Sequence, residues 1–221
     1  MKNVFGPESP VTVFLHRLMY LMQLNLCWAV SCVPLVTIGA ATVSLYGTMA
    51  ALVRDWERQE NTVDILPFFF RLLRREFRQS TWLMLVKLAA LGVLLADFRI
   101  ASIVLEPLTG LLSWICWIPA VLAALVNGFV YPTQAKFANS VGMTLKNAAL
   151  IAFSNPAVSI SAAVLNGIPF VLLLKKPELF VKSSLFWLLL GVSLIAWVNW
   201  KMINRVFEKY CSSEEAKENA K

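Results

Sequence analysis

The chain has 221 residues, of which 58% are apolar and 15% are charged, and its formal net charge is +7. This composition lies well outside that of soluble globular domains, so an ordinary soluble enzyme fold is excluded. A β-barrel is also disfavoured, because stretches such as Leu83 to Leu95 are apolar on every face rather than in alternation. The basic residues flank apolar segments, which favours anionic lipid over nucleic acid as their partner.

The longest apolar run extends from Leu18 to Val53 and holds 36 residues without a charged side chain. About 20 apolar residues already span a bilayer, so this run predicts two helices. Pro34 and Gly39 place the break between them, because proline blocks helix continuation and glycine tolerates a turn. The alternative is one bent helix with an interfacial arm.

The apolar segments predict an all-α, polytopic membrane bundle of about six transmembrane helices with one or two interfacial amphipathic helices. The predicted crossings are residues 14–34, 39–55, 80–97, 108–131, 157–174 and 183–203. Together they form one membrane domain over residues 1–207. The polar residues 208–221 follow as a cytoplasmic tail that we expect to be frayed.

The distribution of lysine and arginine predicts the orientation. With a cytoplasmic N-terminus, the outer loops hold few basic residues, namely Arg99, Lys175, Lys176 and Lys182. The positive-inside rule therefore places both termini in the cytoplasm. Lys87 lies inside the third predicted helix, where it either lines a cavity or extends toward the cytoplasmic face.

Residues 64–79 form an amphipathic segment. On a helical wheel its apolar side chains share one face, and the opposite face carries the basic side chains Arg71, Arg74, Arg75 and Arg78. This pattern predicts a helix lying in the membrane interface. Two roles remain open for it: a docking helix for a cytoplasmic partner, or an anchor on anionic lipid.

A short motif recurs at an offset of 122 residues. The matching positions are Asn25 with Asn147, Pro34 with Pro156, and Thr37 with Ser159. In the predicted topology the second and fifth helices run in opposite senses, as in the inverted repeats that surround the binding site of many transporters. Chance recurrence of small apolar residues is the alternative. Residues 136–153 are too polar for a clear crossing and either lie at the inner interface or dip into the membrane.

Patterns typical of catalysis are missing from the sequence. The single histidine, His16, has no acid or nucleophile at a telling spacing, and there is no phosphate-binding glycine loop, intramembrane acid pair or metal-ligand spacing. The cysteines have no paired spacing and are interpreted as packing residues: Cys27, Cys32, Cys116 and Cys211. We therefore expect no enzymatic activity, cofactor or metal.

Several blocks of the sequence resemble the YesL-like family of small bacterial integral membrane proteins. They are FGPESP at 5–10, LNLCWAVSCVPLVTIGAATVSLY at 24–46, FRQSTWL at 77–83, VYPTQAKF at 130–137 and LKNAALIAF at 145–153. The resemblance implies a multi-helix membrane protein, often encoded near genes for carbohydrate uptake, without an assigned activity. It also implies a shared structural or functional turn formed by Asn25, Trp28, Pro34, Thr37 and Gly39.

Two functions follow as expectations. The first is a non-enzymatic accessory component associated with carbohydrate uptake, with anionic lipids of the cytoplasmic face and importer subunits as partners. The second is a small transporter or permease subunit that binds a polar solute between its repeats. Neither expectation includes binding to nucleic acid.

Overall fold

The computed structural model describes residues 9–60, 62–104, 109–137 and 139–218, and its regular elements there are all helical. In chain order they are α1 (Pro10–Ser31), a 3-10 turn (Leu35–Thr37), α2 (Ile38–Arg58), α3 (Ile65–Val104), α4 (Thr109–Lys136), α5 (Val141–Ser154), α6 (Pro156–Lys175), α7 (Pro177–Lys182), α8 (Ser184–Phe186), a π-helical segment (Trp187–Gly191) and α9 (Val192–Glu218). The prediction of an all-α bundle is confirmed.

The predicted break in the first apolar run is also confirmed. Helix α1 ends at Ser31, and α2 begins at Ile38 after the 3-10 turn. The Thr37 hydroxyl donates to the backbone carbonyls of Ser31 and Pro34, which satisfies acceptors left over at the end of α1. A single bent helix, the alternative, is therefore wrong.

Within the described residues, five helical segments are long and apolar enough to cross a membrane: Leu35–Arg58, Ile65–Asp97, Trp117–Lys136, Pro156–Lys175 and Ser184–Ser212. They coincide with five of the six predicted crossings, and the chain is a multi-pass membrane protein. The first predicted crossing, residues 14–34, corresponds to α1. Helix α1 is not among the segments that are long and apolar enough to cross a membrane. Helix α5 has 14 residues and is about 21 Å long, whereas the hydrocarbon core is about 30 Å thick.

The sequence predicted a separate interfacial helix at 64–79, and this prediction is wrong. The segment is the first part of the 40-residue helix α3. No proline or glycine follows it before the apolar part, so nothing interrupts the helix. Part of its apolar face packs into the protein: Phe69 is fully buried and Ile65 is 3% exposed, in one core with residues of α2, whereas Phe70 and Phe77 are exposed. The predicted helical periodicity of residues 64–79 is confirmed. Part of the apolar face, however, contacts the protein core rather than lipid.

Helix α2 lies at the centre of the bundle. Two thirds of its most apolar window, 67%, is buried inside the protein, compared with 11% for the windows in α3 and α6. The loop that follows α2 is held by Asp55, whose carboxylate accepts hydrogen bonds from the backbone N–H groups of Thr62 and Val63, each at 2.9 Å. This arrangement sets α3 directly against α2.

The tail predicted to fray at 208–221 is helical as far as Glu218, because α9 continues through it. Its glutamate, alanine and lysine residues are good helix formers, and nothing in the sequence breaks the helix there. Residues 219–221 lie outside the described residues.

Candidate functional site

The residues of the predicted turn do not converge on one pocket. Each of them fastens the α1–α2 hairpin at a different place. Thr37 and Pro34 close the turn itself, since the backbone N–H of Thr37 donates to the Pro34 carbonyl at 2.9 Å. The Trp28 indole N–H donates to the Thr42 hydroxyl at 3.3 Å and so joins α1 to α2.

Asn25 binds the π-helical segment through its side chain. Its Nδ2 donates to the carbonyls of Trp187 at 3.0 Å and Leu188 at 2.6 Å, and its Oδ1 accepts from the N–H of Ser193 at 2.8 Å. A π-helical turn displaces the regular α-helical hydrogen bonds, and the buried Asn25 amide supplies partners for the groups released. A methyl group on Gly191 would lie 2.3 Å from the Trp187 ring, so the segment also requires glycine there.

Gly39 lies at a close approach between α2 and α3. A methyl group placed on it would lie 2.5 Å from the carbonyl oxygen of Ser80 and 3.0 Å from Cβ of Met84. Only glycine permits this backbone distance. Gly39 therefore has a structural role, and it lies too tightly against α3 to contact a ligand.

The internal repeat stays a prediction, but its two halves share one type of local contact. Pro156 opens α6, and the Ser159 hydroxyl donates to the carbonyls of Ala152 at 2.7 Å and Asn155 at 3.0 Å. Thr37 does the same for the helix that precedes Pro34. Asn147, in contrast, is half-buried on the short helix α5 and does not reproduce the contacts of Asn25.

A buried polar cluster joins α2, α6 and α9, and sequence reasoning missed it. Asn199 Nδ2 contacts the Tyr46 hydroxyl at 3.3 Å and Asn166 Oδ1 at 3.1 Å. Asn199 is fully buried, and its Oδ1 has no hydrogen-bond partner. The three residues are far apart in sequence, so their spacing gave no signal. Chemically, this cluster offers an unused acceptor to a water molecule or a polar solute.

A second polar row lies between α3 and α4. Gln134 Nε2 donates to the Ser80 hydroxyl at 2.9 Å and to a Glu76 carboxylate oxygen at 3.3 Å. Further along, the Lys87 ammonium lies 3.8 Å from the centroid of the Tyr131 ring. This cation–π contact gives Lys87 a protein partner.

The arginines of α3 form an exposed basic face, which we name the arginine face: Arg71, Arg74, Arg75 and Arg78. Arg75 makes an ion pair with Glu76 at 2.9 Å. Within the described residues, no carboxylate lies within 4.0 Å of the other three guanidinium groups. The arginine face can therefore bind acidic groups outside the protein.

Among the residues whose side chains the structure describes, no group of three or more histidine, cysteine or acidic side chains could hold a metal ion. Of the cysteines, Cys27, Cys32 and Cys211 are free thiols. Cys116 lies outside the described side chains.

Comparison with known proteins gives two matches. The family model described as "Protein of unknown function, DUF624" matches residues 21–98. The uncharacterized protein YesL of Bacillus subtilis (strain 168) is 30% identical over 164 residues, which cover 74% of this chain and 76% of YesL. No solved structure matches the chain. The family match includes the second half of α1, the turn, α2 and most of α3.

Proposed function

Because this chain belongs to the YesL-like family of DUF624 proteins, whose activity is unassigned, we propose a function from its geometry: a non-enzymatic accessory subunit that docks a cytoplasmic partner. The observation that carries the proposal is the arginine face. A guanidinium group binds carboxylates through paired hydrogen bonds, so the complementary surface is an acidic patch on a protein.

The shape of α3 favours a protein partner over a lipid surface. A helix lying flat in the interface would hold all of its arginines at one depth, as in the sequence prediction. Here the arginines belong to a continuous helix that also supplies a membrane segment. Arg71 and Arg78 are about 10 Å apart along the axis. The basic residues therefore extend along a helix that projects from the membrane.

The family resemblance connects this role with carbohydrate uptake, and we propose importer subunits as the partner. In this proposal the protein lies in the bacterial cell membrane with both termini in the cytoplasm, as the positive-inside rule predicts. Four basic residues on one side of the membrane agree with that orientation.

The test is affinity purification of the tagged protein from its native membrane in mild detergent, followed by mass spectrometry. Changing Arg71, Arg74, Arg75 and Arg78 to glutamine should reduce recovery of the partner about tenfold or more, equivalent to about 1.4 kcal/mol of binding. A matched variant loses four exposed charges elsewhere: Lys146, Lys201, Arg205 and Lys209. It should retain the partner. Recovery of the protein alone, or equal loss in both variants, would refute docking through the arginine face.

A second function, a small transporter, is favoured by the buried cluster of Tyr46, Asn166 and Asn199. Its unpaired acceptor could bind a hydroxyl group of a small polar solute. We expect Asn199→Leu to abolish uptake of a labelled sugar into vesicles containing the purified protein. The matched change Asn127→Leu, at an exposed position of α4, should leave uptake intact. Absence of uptake by the unmodified protein across mono- and disaccharides would exclude this function.

A further inference from the structure

Helix α6 starts at the end of the bundle that carries the arginine face. Near the end of α4, Gln134 contacts α3 among its arginines. The Lys136 ammonium donates to Oδ1 of Asn204 at 2.7 Å, which adds the later part of α9 to this end. Asn155, directly before α6, donates through its side-chain amide to the Tyr210 hydroxyl of α9 at 3.1 Å. The first residues of α6 therefore lie on the arginine side.

The other end of α6 reaches the opposite surface of the membrane. The helix has 20 residues and is about 30 Å long, which equals the thickness of the hydrocarbon core. In its middle, Asn166 contacts Asn199, so α6 runs antiparallel to α9 and away from the arginine side. Leu174 is 80% exposed, as expected for a side chain among acyl chains. Lys175 and Lys176 follow it directly and so lie at the level of the head groups.

A cavity opens at the turn between α6 and α7. It has a volume of about 320 Å³ and is lined by exposed residues: Lys175, Lys176, Pro177, Glu178, Leu179 and Lys182. Across the part of the chain that the structure describes, no carboxylate lies within 4.0 Å of any of the three lysine ammonium groups. Three cations with one unpaired carboxylate leave the cavity positively charged, and its volume is in the lower range of small-molecule sites. The cavity therefore suits an anion.

Helix α7 is fixed against the span that follows it. The Phe180 ring stacks on the Trp187 ring, with centroids 6.0 Å apart and an angle of 22° between the planes. The Trp187 indole N–H donates to the Ser183 hydroxyl at 3.2 Å, and Asn25 of α1 binds the Trp187 carbonyl at 3.0 Å. Because these contacts hold α7 in place, the cavity has a defined shape before a ligand binds, which lowers the entropic cost of binding.

The surroundings of the cavity favour a lipid over a soluble anion. Apolar side chains beside it are strongly exposed: Leu179, Val181 and Leu185 are 51%, 67% and 66% exposed. A soluble anion would use the lysines alone and would leave these side chains in water. A phospholipid covers both surfaces, because its phosphate attracts the ammonium groups and its acyl chains cover the apolar side chains.

The position of the lysines points the same way. In the orientation predicted from the sequence, this side of the membrane is poor in basic residues. Three lysines nevertheless lie within the eight residues from 175 to 182. A phosphate at the head-group level would give this cluster its counter-ion.

We propose that the α6–α7 turn binds the phosphate group of an anionic phospholipid in the leaflet opposite the arginine face. The ammonium groups of Lys175, Lys176 and Lys182 contact the phosphate, and Leu174 and Val181 contact the acyl chains. This site lies on the other side of the membrane from the arginine face, so it does not depend on the docking of a cytoplasmic partner.

The experiment measures hydrogen exchange of the full-length protein in nanodiscs of phosphatidylethanolamine, with and without phosphatidylglycerol. A six-residue helix such as α7 opens easily on its own, so a bound lipid should protect its amides. Exchange in α7 should slow by about fivefold or more with phosphatidylglycerol, the factor that one lysine near an anionic leaflet provides. Changing Lys175, Lys176 and Lys182 to glutamine should remove this difference. Unchanged elution of the variant in size-exclusion chromatography establishes that it is folded.

A matched variant changes three exposed lysines on the arginine side to glutamine: Lys146, Lys201 and Lys209. It lowers the net charge equally and should keep the effect of phosphatidylglycerol on α7. Glycerol phosphate, added to nanodiscs of phosphatidylethanolamine alone, supplies the same phosphate chemistry from solution and should leave the exchange of α7 unchanged. The proposal is overturned if phosphatidylglycerol does not slow the exchange, if the slowing persists without the three lysines of the turn, or if glycerol phosphate produces it as well.

Discussion

Replacing Asn25 by leucine is expected to lower the stability of the folded protein by about 2–5 kcal/mol, because three hydrogen bonds are lost together. Leucine has the same branched arrangement of four side-chain heavy atoms, so no cavity forms, but the carbonyls of Trp187 and Leu188 and the N–H of Ser193 lose their partner in a buried place. The measurement is the midpoint of thermal unfolding in detergent, followed by size-exclusion chromatography.

The matched control for this change is Asn127→Leu, since Asn127 lies exposed on α4. It makes the same chemical replacement without unpairing the π-helical segment, and we expect it to shift the midpoint little. Equal midpoints for the two variants would show that Asn25 does not hold the segment.

Gly39→Ala should separate α2 from α3 and destabilise the protein by about 1–3 kcal/mol, the usual cost of forcing extra volume into a packed contact. The added methyl group would meet the backbone oxygen of Ser80 at 2.5 Å, and backbone cannot rotate away as a side chain can. A lower midpoint of thermal unfolding, with greater exposure of α2 to hydrogen exchange, is the expected result.

Gly92→Ala provides the control, because a methyl group there has no neighbour within 4 Å. Alanine is the better helix former by about 1 kcal/mol, so this variant should be as stable as the unmodified protein or slightly more stable. A destabilised Gly92→Ala together with an unaffected Gly39→Ala would contradict the close contact between α2 and α3.

The helices could be predicted from local patterns in the sequence, whereas what each helix contacts, lipid or protein, could not. The break at Pro34 could be predicted because proline and glycine act on their own segment. The enclosure of α2 could not, since an apolar helix has the same sequence whether lipid or protein covers it. The extension of α3 was missed for a related reason: a change from amphipathic to apolar composition is not a helix end.

In the candidate site, too, single residues could be predicted from the sequence, whereas their partners on distant helices could not. Asn25 stood out as a polar residue in an apolar run, and the structure gives it a specific partner. That partner, the π-helical segment, has no simple sequence signature. The cluster around Asn199 combines three distant helices, so no spacing along the chain could reveal it.

The unbroken length of α3 also has a mechanical consequence. A 40-residue helix is a rod about 60 Å long. It packs on α2 both at Leu72, against Gly47, and at Ser80, against Gly39, so its first part cannot tilt without moving α2. A partner that displaced the arginine face would therefore move α2 and α3 together, and the part of α3 beyond Ser80, about 36 Å long, would carry the same rotation across the bilayer.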